Sequence, residues 1–372
     1  MFTKISLNLN PFRLKLRISN RSTRLFSSQV LDEVRPTVKV AVIGGGAFGT
    51  AMATQAARCG HNVTIHMRNV AQANYMNEAK YNPKTLNEFT LPDNLSASNN
   101  LEETLKDAKL IILSLPAQTL PGWLKANIEH IPPNVLLCNT AKGLYLKEQK
   151  LLSEAVREAL GRDQPYAMLS GPSFAKEIMQ NMPTAVVVGS KYMYNAVAVQ
   201  RIMATDKFRV YADQDIIGIE LGGSLKNPLA IGAGILEGMN MGYNTKAAYV
   251  TRSSLELMEL CRAMGGQSHT ISGLSGIGDL MLTAFGELSR NRSLGERIAK
   301  GEKISDITSH STVEGIATAE VAVHFANKCG LELPIFRTVA SILRGDQSLE
   351  NVDVQLLGKE QDTMSVPHHS ED

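Results

Sequence analysis

Gly44-Gly45-Gly46-Ala47-Phe48-Gly49 has the G-x-G-x-x-G spacing by which a main chain cradles a dinucleotide. Gly44 permits a tight turn. Gly46 lets the backbone approach a pyrophosphate, whose charge a helix N-terminus stabilises, and Gly49 allows that helix to pack close. The plainer alternative is a glycine-rich turn that holds nothing. Three more strings carry charged side chains at places where ligands gather. Asn139-Thr140-Ala141-Lys142-Gly143-Leu144 lies just past the end of a predicted strand. Gly222-Gly223-Ser224-Leu225-Lys226-Asn227 lies where the predicted strands give way to helices. Gly276-Ile277-Gly278-Asp279-Leu280-Met281-Leu282-Thr283 leads into Leu288-Ser289-Arg290-Asn291-Arg292. Each has a bland use in isolation: a solvated lysine, a surface arginine pair, and an aspartate capping a helix. His61, His66 and His269 have no partner at metal-ligand spacing, so no metal site is expected.

The elements around these strings set their context. Val38–Ile43 (VKVAVI) is a short β-branched run suited to a buried parallel strand. The glycine turn follows it, then a helical stretch ending at Gly60. Further strands are expected at 62–66, 110–115, 135–138, 167–169, 184–188 and 208–211, with helices between most of them. That alternation predicts an α/β fold with a mostly parallel, doubly wound, Rossmann-like sheet. From Asp215 to about Leu357 apolar residues recur at spacings of three and four, which predicts an all-helical region. The expected organisation is a dinucleotide-binding domain over 38–215, an all-α domain over 216–357 for substrate and dimerisation, and a disordered tail over 358–372. No acid follows the second strand until Glu78, where an NAD site would place one for the ribose hydroxyl. Arg68 stands there instead and favours NADPH over NADH, because it can pair with a 2′-phosphate. It could equally be a solvated loop residue or stack on adenine.

The chain has 372 residues, 44% of them hydrophobic, enough for a sizeable core and beyond the size of one ordinary domain. Its first thirty residues hold six bases (Lys4, Arg13, Lys15, Arg17, Arg21, Arg24) and no acid. Without them, 32 bases face 36 acids, a formal −4 that argues against nucleic-acid binding by the body. An acid-free, Arg- and Ser-containing start resembles a transit peptide over residues 1–30, and Arg24-Leu25-Phe26-Ser27-Ser28 looks like a mitochondrial processing site. Mitochondrion is the expected address and plastid the alternative. The four cysteines are far apart, which excludes a disulfide scaffold. No apolar run of membrane-spanning length occurs.

Taken in order, GGGAFGTAMA, TAKGL, LSGPSFAKE, PTAVVVGS, FRVY, IGIELGGSLKN, AIGAGILEGM, GLSGIGDLMLT, LSRNRSLG and VEGIATA make the chain resemble the NAD(P)-dependent glycerol-3-phosphate dehydrogenases of the soluble bacterial and plastid type, over about 38–357. The resemblance implies interconversion of dihydroxyacetone phosphate and sn-glycerol 3-phosphate by a homodimer using NADH or NADPH. It implies that Lys226 is the acid/base residue and Lys142 its partner at the substrate. Arg290 and Asn291 would take the phosphate, with Asn227, Asp279 and Thr283 in support. Cofactor contacts map onto Ala47, Phe48, Arg68, Lys142, Ala175, Arg290 and Glu314, and Gly171 and Ser173 resemble substrate or cofactor contacts. The chemistry is coherent. Reducing a ketone needs a proton donor at oxygen, and lysine serves if burial and a second cation bring its pKa from about 10.4 towards about 7–8. One departure is Pro228, where the family usually has an aliphatic residue. It predicts that a helix starts or kinks there, or that Lys226 shifts. Two alternatives differ in class: another ketoacid or β-hydroxyacid reductase on the same plan, which would not need Arg290 and Asn291, and a non-catalytic dinucleotide sensor, which would not need both lysines.

Overall fold

The computed structural model describes residues 36–308, 313–350 and 352–356. The leader over 1–30 and the tail over 358–372 lie outside the described residues. Eight strands form one sheet: β1 (Lys39–Ile43), β2 (Asn62–His66), β3 (Leu95–Ser98), β4 (Leu110–Leu113), β5 (Leu136–Asn139), β6 (Tyr166–Ser170), β7 (Thr184–Gly189) and β8 (Phe208–Asp213). Their order is β3-β2-β1-β4-β5-β6-β7-β8. Neighbours are parallel except β6 and β7. Connections run outwards in opposite directions from β1 and β4, so a crevice opens at their carboxyl ends. The strand expected over 110–115 stops at Leu113, and Ser114 and Leu115 turn off into that crevice. β3, which the sequence reading missed, reads LSAS and buries only Leu95 and Ala97 fully, the alternation of a half-covered edge strand.

Alternate residues feed two cores. Val40, Val42, Ile65 and Ile112 pack on one face with the alanine-rich helix Ala47–Arg58. Ala41, Ile43, Ile111 and Leu113 pack on the other with Leu120, Leu124, Leu152 and Val156.

Beyond β8 every regular element among the described residues is helical, and they gather round one long helix, Ile216–Gly238. Asp215 starts it, accepting from the Gly218 N–H at 2.9 Å. The same carboxylate takes the Gln267 N–H at 2.8 Å and the Thr270 hydroxyl at 2.6 Å, so the start of the helix is stapled to a later segment. From Gly218 to Leu236 every residue is buried, as expected of a helix apolar on nearly all sides. Pro228 neither starts nor ends this helix. A proline inside a helix costs about 3 kcal/mol, and packing around the whole helix outweighs it.

Glycines bring a second helix, Arg290–Ala299, to backbone contact with the long one. A Cβ on Gly234 would stand 2.0 Å from the Arg292 carbonyl oxygen, and one on Gly295 would stand 2.0 Å from that of Ile231. Gly234→Ala should therefore overpack this contact and cost about 1–3 kcal/mol, lowering the melting temperature by about 1–4 °C. Gly122→Ala is the control, since that exposed helical glycine has nothing within 4 Å of its missing Cβ. Calorimetry giving equal melting temperatures for the two variants would show that the helices can part without cost.

Candidate active site

The glycine turn is shaped by close contact on one side and open space on the other. Gly44 adopts φ +112, and a Cβ there would lie 2.5 Å from the Ser114 carbonyl oxygen. At Gly49 a Cβ would meet the Gly44 carbonyl oxygen at 1.9 Å. Gly46, which caps the helix Ala47–Arg58, faces space with nothing within 4 Å. The first turn of that helix, with Ala47 and Phe48, carries no acid. A main chain open at a helix N-terminus, with no side chain in the way, fits a pyrophosphate. Arg68 is exposed just beyond β2, and Asn69 caps the next helix by accepting from the Gln72 N–H at 3.0 Å. Ala175 opens the short helix Ala175–Met179, which is tied to the glycine-turn helix by Arg58 donating to the carbonyls of Ile178 and Met179.

Lys142, Lys226 and Asp279 come from three separate places and meet. Lys142 follows β5, Lys226 sits midway along the long helix, and Asp279 opens the helix Asp279–Phe285 after a π-helical turn, Leu274–Gly278. Lys226 Nζ is 2.5 Å from Asp279 Oδ1, and Lys142 Nζ is 2.9 Å from Oδ2. Lys226 also donates to Thr283 Oγ1 at 2.8 Å. Lys142 donates to the Gly171 carbonyl at 2.6 Å and to Ser173 Oγ at 3.1 Å. The glycine pair before Lys226 permits this convergence. A Cβ on Gly222 would lie 2.8 Å from the Ser275 carbonyl oxygen in the π turn, and one on Gly223 would lie 2.5 Å from Ser170 Oγ at the end of β6.

Asp279 is fully buried and Lys226 nearly so. Burial is the main cause that brings the Lys226 ammonium down to about 8; Asp279 opposes it and the Lys142 charge adds to it. Asp279 does not cap its helix, because it is the first helical residue and its oxygens face the two lysines.

A second network lies alongside. Asn291 donates to Asn227 Oδ1 at 3.0 Å and accepts from the Gly315 N–H at 3.1 Å, which joins three helices. Arg290 is exposed in the first turn of Arg290–Ala299, where Ser289 caps by accepting from the Arg292 N–H at 3.2 Å. Glu314 begins the helix Glu314–Cys329 with its side chain exposed. Desolvation by the surrounding protein pushes its carboxyl up, and the charges of Arg290, Lys226 and Lys142 pull it part of the way back down. The structure thus gathers Lys142, Lys226, Asp279, Thr283, Gly171 and Ser173 into one bonded set, and Asn227 and Asn291 into another. Gly44, Gly46 and Gly49 form the cradle, while Arg68 stands apart at the end of β2.

Sequence reasoning passed over Ser114 and used Thr140 only as part of a string. Their hydroxyls lie 2.8 Å apart, Ser114 just past β4 and Thr140 just past β5. Position at strand ends beside the reversal of strand order was the available signal. Among the described residues no His, Cys, Asp or Glu cluster is arranged to hold a metal, and no helix is long and apolar enough to cross a membrane.

A nucleotide cradle at the reversal of strand order, with a buried amine of depressed pKa on the helical lobe, defines a dinucleotide-dependent oxidoreductase. The chain belongs to the NAD-dependent glycerol-3-phosphate dehydrogenase family: the N-terminal family model matches residues 39–196 and the C-terminal model residues 215–352. It is 38% identical over 331 residues to the chloroplastic NAD(+) glycerol-3-phosphate dehydrogenase 2 of Arabidopsis thaliana, covering 88% of this chain and 79% of that one. It is also 38% identical over 327 residues to the NAD(P)+ glycerol-3-phosphate dehydrogenase of Leptospira biflexa, covering 87% and 98%. The crystal structure of glycerol-3-phosphate dehydrogenase from Coxiella burnetii superposes with a TM-score of 0.80 at 31% identity, covering 87% of this chain and 99% of that one. A ketopantoate reductase structure from Ralstonia eutropha, at 16% identity and a TM-score of 0.56, shares the fold alone.

Removing the carboxylate between the lysines should be severe. Asp279→Ala takes away the carboxylate that both lysines meet, so Lys226 must either shed its proton or stay charged and unpaired, and the expected loss is about 3–5 kcal/mol of unfolding free energy at pH 7. Urea denaturation reads it, and a loss below about 1 kcal/mol would mean that the lysines do not depend on Asp279.

Proposed function

We propose that this chain interconverts dihydroxyacetone phosphate and sn-glycerol 3-phosphate, with Lys226 as the acid/base residue, and so supplies the backbone of glycerolipids. The observation that carries this reading is the Lys226 amine, lowered to about 8 and bonded to buried Asp279 beside Lys142. A nicotinamide dinucleotide, when bound, would supply hydride chemistry at this site. Gly44, Gly46 and Gly49 would hold its pyrophosphate with main chain, and the adjoining helix N-terminus would offset the charge. Lys226 donates its proton to the carbonyl oxygen, and Asp279 and Thr283 hold the donor on line. Lys142 keeps a positive charge near that oxygen as negative charge develops there. Arg290 and Asn291 take the phosphate, so binding of a remote dianion helps to orient the reacting carbon. In the oxidising direction the neutral Lys226 amine accepts the hydroxyl proton.

Several finer points belong to the same proposal. Arg68, with no acid before Glu78, favours NADPH. Residues 38–215 act as the dinucleotide-binding domain and 216–357 as the substrate and dimerisation domain of a homodimer. Residues 1–30 direct import into an organelle. Their composition favours mitochondria, while the chloroplastic name of the Arabidopsis relative speaks for a plastid. Imaging residues 1–40 fused to a fluorescent reporter separates the two.

Protein lacking residues 1–30 should oxidise NADPH or NADH only when dihydroxyacetone phosphate is present, and the ratio of kcat/KM values gives the cofactor preference. Folded protein that consumes neither cofactor would end this reading. Lys226→Met should lower turnover about 10²–10⁴-fold while cofactor binding persists. Because the reduction needs the ammonium, its kcat/KM should be level below pH about 8 and fall above it. The oxidation needs the free amine and should rise through the same range. Profiles of the same sign in both directions would remove Lys226 from the role.

A further inference from the structure

Beneath the glycine turn lies a side chain that the proton transfer leaves aside. The chain leaves the helix Val70–Ala79 at Lys80, in left-handed backbone at φ +56. It returns where the Leu91 N–H donates to the Lys80 carbonyl at 2.7 Å. This closed loop carries Asn82 to a position with no exposed surface. Both amide hydrogens have acceptors: Nδ2 donates to the Gly45 carbonyl at 3.0 Å and to Thr50 Oγ1 at 2.8 Å. Its Oδ1 accepts from the Lys84 N–H at 3.1 Å. Thr50 lies in the glycine-turn helix and donates its own N–H to the Gly46 carbonyl at 2.9 Å. One side chain therefore fastens the turn to the helix that follows.

The direction of that bond matters. In a trans peptide the carbonyl and the next N–H point opposite ways. With the Gly45 carbonyl drawn towards buried Asn82, the Gly46 N–H points away from Asn82, and Gly46 itself borders open space, since a Cβ there would meet nothing within 4 Å. A run of three glycines is the softest stretch of backbone available, since glycine populates both signs of φ with little penalty. Left to itself the peptide between Gly45 and Gly46 would sample several directions, and a ligand would have to order it on binding.

We infer that Asn82 is a positioning residue for the dinucleotide pyrophosphate: anchored to Gly45 and Thr50, it holds the Gly46 N–H outward as a ready donor. The inference rests on the dinucleotide-binding reading given above. Two variants of the full chain test it. Asn82→Ala removes the clamp without adding charge, and Asn82→Asp keeps the shape but turns an acceptor towards the Gly45 carbonyl. Inhibition against NADH is measured with ADP-ribose, which carries the pyrophosphate, and with adenosine, which does not.

In both variants the ADP-ribose inhibition constant and the NADH KM should rise about tenfold or more, the scale of one lost hydrogen bond to a charged group. The adenosine constant should move less than twofold, and turnover at saturating NADH should fall much less than affinity. Because the two inhibitors are compared in one preparation, their ratio is insensitive to the fraction that folds. Equal weakening of both inhibitors, or weakening in Asn82→Asp alone, would overturn the inference by showing general damage or simple charge repulsion. Unaltered protein that binds neither NADH nor ADP-ribose would instead sink the dinucleotide reading, and the role of Asn82 with it.

Discussion

One buried carboxylate holds two lysines from distant parts of the chain in one place. Asp279 has no exposed surface and meets two ammonium groups, one from the sheet and one from the long helix. Two like charges this close and this dry could not both persist without it. The result is a compromise: burial and Lys142 lower the Lys226 amine, Asp279 raises it, and the balance falls at about 8. A stronger counter-charge would make a lysine that never releases its proton, and a weaker one would make a lysine that never holds it.

The long helix makes that meeting possible. It is buried from Gly218 to Leu236, so Lys226 emerges from a rigid element rather than from a loop. Its Glu220 reaches back towards the sheet, accepting from the Ser153 N–H at 3.0 Å and the Ser153 hydroxyl at 2.5 Å at the start of the helix Leu152–Leu160. Burial pushes that carboxyl up to about 7, against the pull of those bonds. The helix bearing Lys226 is thus fixed to the helix Leu152–Leu160 of the sheet domain by a polar contact as well as by packing.

What was legible in the sequence was local. VKVAVI, the glycine spacing and the alanine-rich helix are encoded in one continuous stretch, Val38 to Arg58, and β1, the turn and the helix stand where they were expected. β3 was not legible, because LSAS has no apolar run and is a strand only through pairing with β2. At Pro228 a helix start, one of the expected outcomes, did not occur, since packing around the whole helix carries it through the proline. The bonding of Lys142 to Asp279 spans 137 residues of chain, and that of Lys226 to Thr283 spans 57. No spacing rule reaches that far, and only the family resemblance linked those strings. The use of Asp279 was ambiguous for the same reason: as a single residue it reads equally well as a cap.

Gly234, Gly238 and Gly295 set the separation of the helix that holds Lys226 from the one that holds Arg290 and Asn291. At each, a Cβ would come within 2.6 Å of main-chain oxygen on the facing helix. The gap between the two helices is consequently gauged by main chain against main chain, like a calliper with its screw locked. Rotamer changes on either helix leave the jaws where they are, and a single added methyl at any of the three would open them.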